Sequence, residues 1–420
     1  MPQIFQQLIQ SRPMPIFLVI AMLAGAALSA LRIMSSLAMR LQPLRGLFGT
    51  DLGLTTTRVL LTAVSLGAVA LAQVPQSHPP LRVAIVGLVH GHVHGFLHQY
   101  QPSPEIEIVA VVEPDPTLRS SAASRYSFPA SQMFADLDDM IARVHPQAVL
   151  VYTSTYDHRR VVETCARHGI HVMMEKPLAV SLEDALAMQK AAQAAKIHVL
   201  VNYETSWYRS NHAAYELAHD GSLGEIRKVV VHDGHKGPKE IGVEPGFLAW
   251  LTDPRLNGGG ALFDFGCYGA DLMTWLMDGQ RPQTVTAVTQ QLKPEIYSRV
   301  DDEATIILTY PKAQTIIQAS WNWPIDRKDM EIYGQSAQLI TVKRDNLRVQ
   351  RAGEPEQLIA AKPLPSPYDD ELAYLRAVIV DGTKEDVLSS LETNVTVTEI
   401  LDAARRSAKE GKTIQLPKSK

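Results

Sequence analysis

Two cysteines, Cys165 and Cys267, are all that the 420 residues contain. Neither a disulfide framework nor a zinc site with several thiolates can be built from them, and two buried free thiols are favoured over a bridge. Charge of one sign is also lacking: Lys and Arg total 40 against 44 acids, a net charge of −4. No basic run stands out beyond residue 58, which argues against a nucleic-acid partner. The 25 glycines and 26 prolines are ordinary for this length, so collagen-like and wholly disordered readings fall away. Internal repeats and low-complexity tracts are absent. What is present is 46% hydrophobic and 20% charged residues, the balance of a globular protein long enough for two or more domains.

Residues 1–80 stand apart as a leader. Arg12, Arg32, Arg40, Arg45 and Arg58 face the single acid Asp51, so this segment carries +4 and the remainder −8. Residues 13–31 are uncharged and just long enough to span a bilayer as a helix. Residues 59–72 resemble a signal-peptide core, with Arg58 before it and Ala70-Leu71-Ala72 as a cleavage pattern before Gln73. Translation from Met34 or Met39 would leave one long signal, whereas the full leader would form a membrane hairpin with residues 32–58 cytoplasmic. Both readings place the folded part outside the cytoplasm; an inward-facing anchor or a mis-called start would keep it inside.

From Leu81 onward, short β-branched runs alternate with helical stretches: RVAIVG, IEIVAVVE, AVLVYTS, HVMMEKP and HVLVNYE. That alternation is the mark of a doubly wound parallel sheet, a Rossmann domain over residues 81–200. After residue 225, IRKVVVHDG, TVTAVTQQL, ATIILTY and TIIQASWNW follow one another with short connections. They predict an α+β domain over residues 201–420 with a large, mainly antiparallel sheet, whose open face would pair with another copy as a dimer or tetramer.

The first strand runs into a turn with Gly87, Gly91 and Gly95, the type of turn that lets a backbone approach a pyrophosphate. The spacing departs from G-x-G-x-x-G. Glu113 ends the second strand, 22 residues after Gly91, where an acid binds the adenosine ribose diol. No arginine follows immediately, so the reading is NAD over NADP. His90, His92, His94 and His98 crowd the same turn, but alternation sends them in different directions and no nearby Cys or Asp completes a ligand set. No metal is expected, and His92 is assigned to the cofactor.

HVMMEKPL at 171–178 and GGGALFDFGCYGAD at 258–271, with GSLGEI, TSTYDH and SAKEGKTIQLP, resemble the Gfo/Idh/MocA oxidoreductases from residue 81 to the C-terminus. The resemblance implies that Lys176 lies beside the nicotinamide and the substrate oxygen, and that Thr153, Ser154, His158 and Glu175 serve the cofactor. Many relatives have histidine at the position of Tyr268; tyrosine stands there in the glucose-fructose oxidoreductase and dihydrodiol dehydrogenase branches.

The chemistry of these residues agrees. A helix through Asp264, Tyr268 and Asp271 would set them on one face at i, i+4 and i+7. A phenol beside the Lys176 ammonium would have its pKa lowered and could exchange a proton with the substrate oxygen. Asp264 would bind the neighbouring hydroxyl and orient Lys176. His235, Lys236, Trp207, Tyr208, Trp321 and Trp323 are further substrate-side candidates, the aromatics as sugar platforms. These residues predict an NAD-dependent oxidoreductase acting on a sugar or polyol. The alternatives are a redox-neutral glycosidase or epimerase-like enzyme and a non-enzymatic NAD sensor.

Overall fold

A computed structural model describes residues 79–100 and 105–417 of the chain. The leader expected over residues 1–80 lies almost wholly outside the described residues. Among the described residues no helix is long and apolar enough to cross a membrane.

Six strands form the first sheet: β1 (Leu81–Val86), β2 (Ile106–Val112), β3 (Met133–Phe134), β4 (Ala148–Val151), β5 (His171–Glu175) and β6 (Val199–Asn202). All pair in parallel, in the order β3-β2-β1-β4-β5-β6. Their near-continuous Val, Ile, Leu and Met content follows from helices covering both faces: every residue of β4 is buried and only Arg82 of β1 is not. Three of the helices between these strands, Pro116–Arg125, Leu137–Val144 and Leu182–Ala195, start where short polar side chains satisfy free N–H groups. Asp115 accepts from Thr117 and Leu118, Asp136 from Asp139, and Ser181 from Asp184. The strand order reverses between β1 and β4, and ligands bind at the carboxyl edge of such a crevice.

The second sheet has nine strands. β7 (Ile226–Gly234), β8 (Thr284–Gln290), β9 (Glu303–Thr309), β10 (Gln314–Ser320), β11 (Arg327–Gly334), β12 (Ala337–Val342), β13 (Asn346–Arg351), β14 (Gln357–Ala360) and β15 (Ile414–Gln415) lie in the order β14-β13-β12-β11-β7-β10-β9-β8-β15. It is antiparallel except where β10 runs parallel to β7. The meander from β11 to β14 extends the sheet well beyond the four strands read from sequence. Alternation is clean: Ala304, Ile306 and Leu308 are buried, while Thr305, Ile307 and Thr309 on the opposite face are only partly covered.

On the buried face lies the helix Gly266–Leu276, every residue of it buried. Gly269 sets how closely it packs, since a Cβ there would stand 2.5 Å from Ile317 of β10. The helix Leu391–Glu410 packs against both Gly266–Leu276 and the crossover helix Leu182–Ala195, so it ties the two sheets together. The helix Glu371–Val380 returns to the first sheet, where Tyr374, Leu375 and Val378 join the core around Leu81, Ile85 and Leu150. Both cysteines are buried free thiols.

Candidate active site

Lys176 follows the last residue of β5 at the carboxyl edge of the parallel sheet, and its bond to Pro177 is cis. Its Nζ donates to Asp264 Oδ1 at 2.6 Å and to the Asp264 carbonyl at 3.0 Å. Trp321 Nε1 donates to the other carboxylate oxygen, Oδ2, at 3.0 Å. Burial alone would disfavour both charges, but each neutralises the other: Asp264 is held below the usual carboxylate range and Lys176 above the usual amine range.

The face of Asp264, Tyr268 and Asp271 expected from one continuous helix does not form. Asp264 ends the short helix Ala261–Asp264, and Gly266–Leu276 begins after a break at Phe265. The break turns Asp264 toward Lys176. Asp271 is fully buried away from the cavity with neither carboxylate oxygen partnered among the described residues, so burial keeps it neutral.

Tyr268, Lys176, Asp264, His235 and Lys328 line one cavity of about 380 Å³. The expected lowering of the Tyr268 pKa is reversed. Burial, reinforced by Cys267, Glu204, Glu175 and Asp264, pushes the phenol well above its ordinary range, so it rests protonated as a donor. His235 is kept neutral chiefly by burial, and its Nδ1 accepts the Gly237 N–H at 2.9 Å. The ring proton of the neutral imidazole therefore sits on Nε2, which makes that nitrogen a donor as well.

The aromatic platforms fall elsewhere. Trp321 is fully buried on Asp264, and Trp323 packs by His232 and Gly234 on the sheet. The Tyr208 hydroxyl donates to Glu204 at 2.6 Å. Trp207 donates to Asn202 Oδ1 at 2.9 Å and lines a different cavity, about 600 Å³, along the carboxyl ends of β4 to β6 with Tyr152, Glu175 and Asn202. Lys236 is not among the residues lining the cavity of Tyr268.

At the other end of that edge, Gly87, Glu113, Thr153, Asp157 and Arg160 enclose about 280 Å³. Gly87 has φ +89°, and a Cβ would meet the Thr153 backbone nitrogen at 2.8 Å, so no other residue fits. Glu113 accepts the Leu88 and Asp115 N–H groups at 2.7 and 2.9 Å, which fixes its carboxylate at the turn. These residues fit the adenosine half of a dinucleotide. Arg160 was invisible as a partner in sequence because it arrives from the helix after β4. Gly91 lies at the start of helix His92–Gln99, and Phe247 crosses it 3.0 Å from where a Cβ would stand.

Ser154 donates to Asp157 at 2.7 Å. His158 is buried against the Leu178 carbonyl and lines none of these cavities, which makes it a brace for the Lys176 loop. His92 touches both the large cavity and that of Tyr268. Its Nδ1 stands 3.2 Å from Glu175, whose carboxyl, against the cost of burial, is pulled down to about 2 by His92, His90 and Lys176. His90, His92 and Glu175 bring ligand atoms within 4.8 Å of one another, a grouping the turn pattern did not suggest because its third member comes from β5. The Lys176 ammonium beside them opposes a bound cation.

The two sheets and their order are shared with known proteins. Residues 81–203 match the model of the "Oxidoreductase family, NAD-binding Rossmann fold", and residues 211–340 match the "GFO/IDH/MocA C-terminal domain". An uncharacterized oxidoreductase of Schizosaccharomyces pombe is 26% identical over 234 residues, 56% of this chain and 61% of that protein. The trans-1,2-dihydrobenzene-1,2-diol dehydrogenase of Macaca fuscata fuscata is 23% identical over 229 residues, 54% and 64% of the two chains. These alignments thus span under two thirds of either relative. The crystal structure of an inositol dehydrogenase homolog complexed with NAD+ from Azotobacter vinelandii superposes with a TM-score of 0.70 at 21% identity, covering 80% of this chain and 98% of that one. The chain is therefore a member of the Gfo/Idh/MocA family of oxidoreductases, with an NAD-binding Rossmann domain.

Proposed function

We propose that the protein is an NAD-dependent dehydrogenase that interconverts a secondary alcohol and a carbonyl on a sugar, polyol or related diol. The observation that carries this reading is the convergence of Lys176, Asp264 and Tyr268 on one cavity at the carboxyl edge of the cofactor-binding sheet. The dihydrodiol and inositol enzymes among its relatives support the substrate class.

The dinucleotide, when bound, supplies the hydride acceptor or donor. Glu113 would hold its adenosine ribose, while Glu175 and His92 line the end of the crevice nearer Lys176. Tyr268 rests as a protonated donor, so in the reductive direction it gives its proton to the carbonyl oxygen, and in the oxidative direction its phenolate takes the hydroxyl proton back. Lys176 supplies a fixed positive charge for the substrate oxygen and needs no reorganisation, because Asp264, itself held by Trp321, already fixes it. His235, with its proton on Nε2, serves as a hydrogen-bond donor rather than a base.

The open face of the second sheet, which carries Val230, Ile307, Ile316 and the exposed Val288, is the proposed homo-oligomer surface. The enzymatic reading is tested by following NADH formation with the full chain over a panel of sugars and cyclic polyols. Oxidation of one or more supports it; NAD binding without turnover on any substrate favours a sensor.

A further inference from the structure

β11 delivers a second ammonium to the ring of Tyr268. Met330 and Ile332 alternate into the core, and Lys328, two residues before Met330, shares their face. Its Nζ stands 4.8 Å from the Tyr268 ring centroid, compared with 5.1 Å for Lys176. Lys328 is ion-paired with Glu204 in the turn after β6. Glu204 is itself held by the Tyr208 hydroxyl at 2.6 Å, with Arg344 at 3.8 Å. Asp233, opposite Lys328 in the β7–β11 register, cannot neutralise it. Both Asp233 oxygens are buried without a hydrogen-bond partner among the described residues, and burial keeps that carboxyl protonated.

We propose that Lys328, fixed by Glu204, is a positioning residue for proton transfer by Tyr268: its ammonium stabilises the phenolate left when the phenol gives its proton to the substrate. This rests on Tyr268 being the acid–base group. In the reductive direction the Tyr268 O–H bond breaks and its electron pair stays on the phenolic oxygen. The proton forms the new O–H bond of the product, and solvent later returns a proton to the phenolate. A cation over an aromatic face is attracted to the ring, and more strongly once the ring is anionic and little water intervenes.

The groups around the phenol come from five segments. Glu175 and Lys176 come from the end of β5, Tyr203 and Glu204 from the turn after β6, and His235 from the end of β7, with Asp233 one step removed beside Lys328. Asp264 and Cys267 come from the phenol's own helical stretch, and Lys328 from β11. Glu175 is answered by His92 and Asp264 by Lys176. Glu204 is answered by Lys328, which lies over the ring, and from farther off by Arg344, so the Glu204–Lys328 pair tunes the negative field that Tyr268 feels.

The test uses full-length protein with 13C at tyrosine Cζ, the Tyr268 resonance being identified by its loss in Tyr268→Phe. Lys328→Met, and Lys328→Gln as a second variant with a polar head, should move the onset of the Tyr268 titration to higher pH. Glu204→Gln should lower it, and Lys328→Arg should keep it near that of the parent protein. The alkaline fall of the reductive rate should move in the same two directions. Shifts of the same sign, no shift in either variant, or a resonance that stays protonated across the accessible range even in Glu204→Gln would each overturn the proposal. The resonance needs no substrate, so failure here is distinct from failure of the dehydrogenase reading, which full turnover by Tyr268→Phe would show.

Discussion

The Lys176 ammonium donates to the Asp264 carboxylate at 2.6 Å across 88 residues of sequence, and both side chains are almost wholly buried. A buried pair of this kind costs little while intact and much when one partner is removed. Asp264→Asn should destabilise the fold by about 3–5 kcal/mol, measured as urea unfolding at neutral pH, and should reduce turnover by about 10²-fold or more because Lys176 loses its orientation.

The same pair fixes a pH dependence. The folded-state pKa of Asp264 lies below its unfolded value of about 3.9, so its stabilisation is complete above that pH and is lost as pH falls through the lower folded value. Lys176 is raised above its unfolded value of about 10.4, so its contribution is complete below that pH and is lost only as pH rises through the higher folded value. The difference in melting temperature between the parent protein and Asp264→Asn should therefore be flat from about pH 5 to pH 9 and shrink in acid. A difference that grows in acid would contradict the pairing.

Trp321 acts on the site through Asp264 rather than on the substrate. Trp321→Phe keeps a ring in the core but removes the Nε1 donor to Oδ2. It should cost about 1–3 kcal/mol of stability, with a larger effect on kcat than on KM. A sugar-stacking role would instead raise KM and spare stability.

Cofactor choice tests the opposite end of the crevice. Glu113 is fixed by the Leu88 and Asp115 N–H groups, and the proposed function gives its carboxylate the adenosine ribose. Glu113→Ala should weaken NAD binding by about tenfold and narrow the preference over NADP. Equal affinity of the parent protein for both dinucleotides would remove the role given to Glu113.

The leader predicts export or anchoring. Protein from the native cell should begin near Gln73 or fractionate with membranes as the full chain. Soluble full-length protein in the cytoplasm would contradict both.

Much of the frame was legible in the sequence. The buried parallel strands announce themselves as unbroken apolar runs, and the segments around Lys176 and Gly258–Asp264 were legible through their resemblance to a family, whereas the Gly87 turn departs from the usual glycine spacing. The rest depends on tertiary placement. Trp321, Lys328 and Phe247 reach the site from segments with no local signal of their role, and the short strands of the β11–β14 meander are too polar on one face to stand out. Burial decided the two pKa readings that spacing could not: the raised Tyr268 and the neutral His235. The break at Phe265 defeats a single-helix reading of 264–271, because Gly266 and the paired Asp264 carbonyl end one helix and start another.

The most direct test of the dehydrogenase account is NAD reduction by full-length Tyr268→Phe beside the parent protein, with the best substrate from a panel of sugars and cyclic polyols. The account predicts unchanged NAD affinity and turnover lowered by about 10²-fold or more. Near-parental turnover by Tyr268→Phe, which keeps the ring and loses only the hydroxyl, would contradict it.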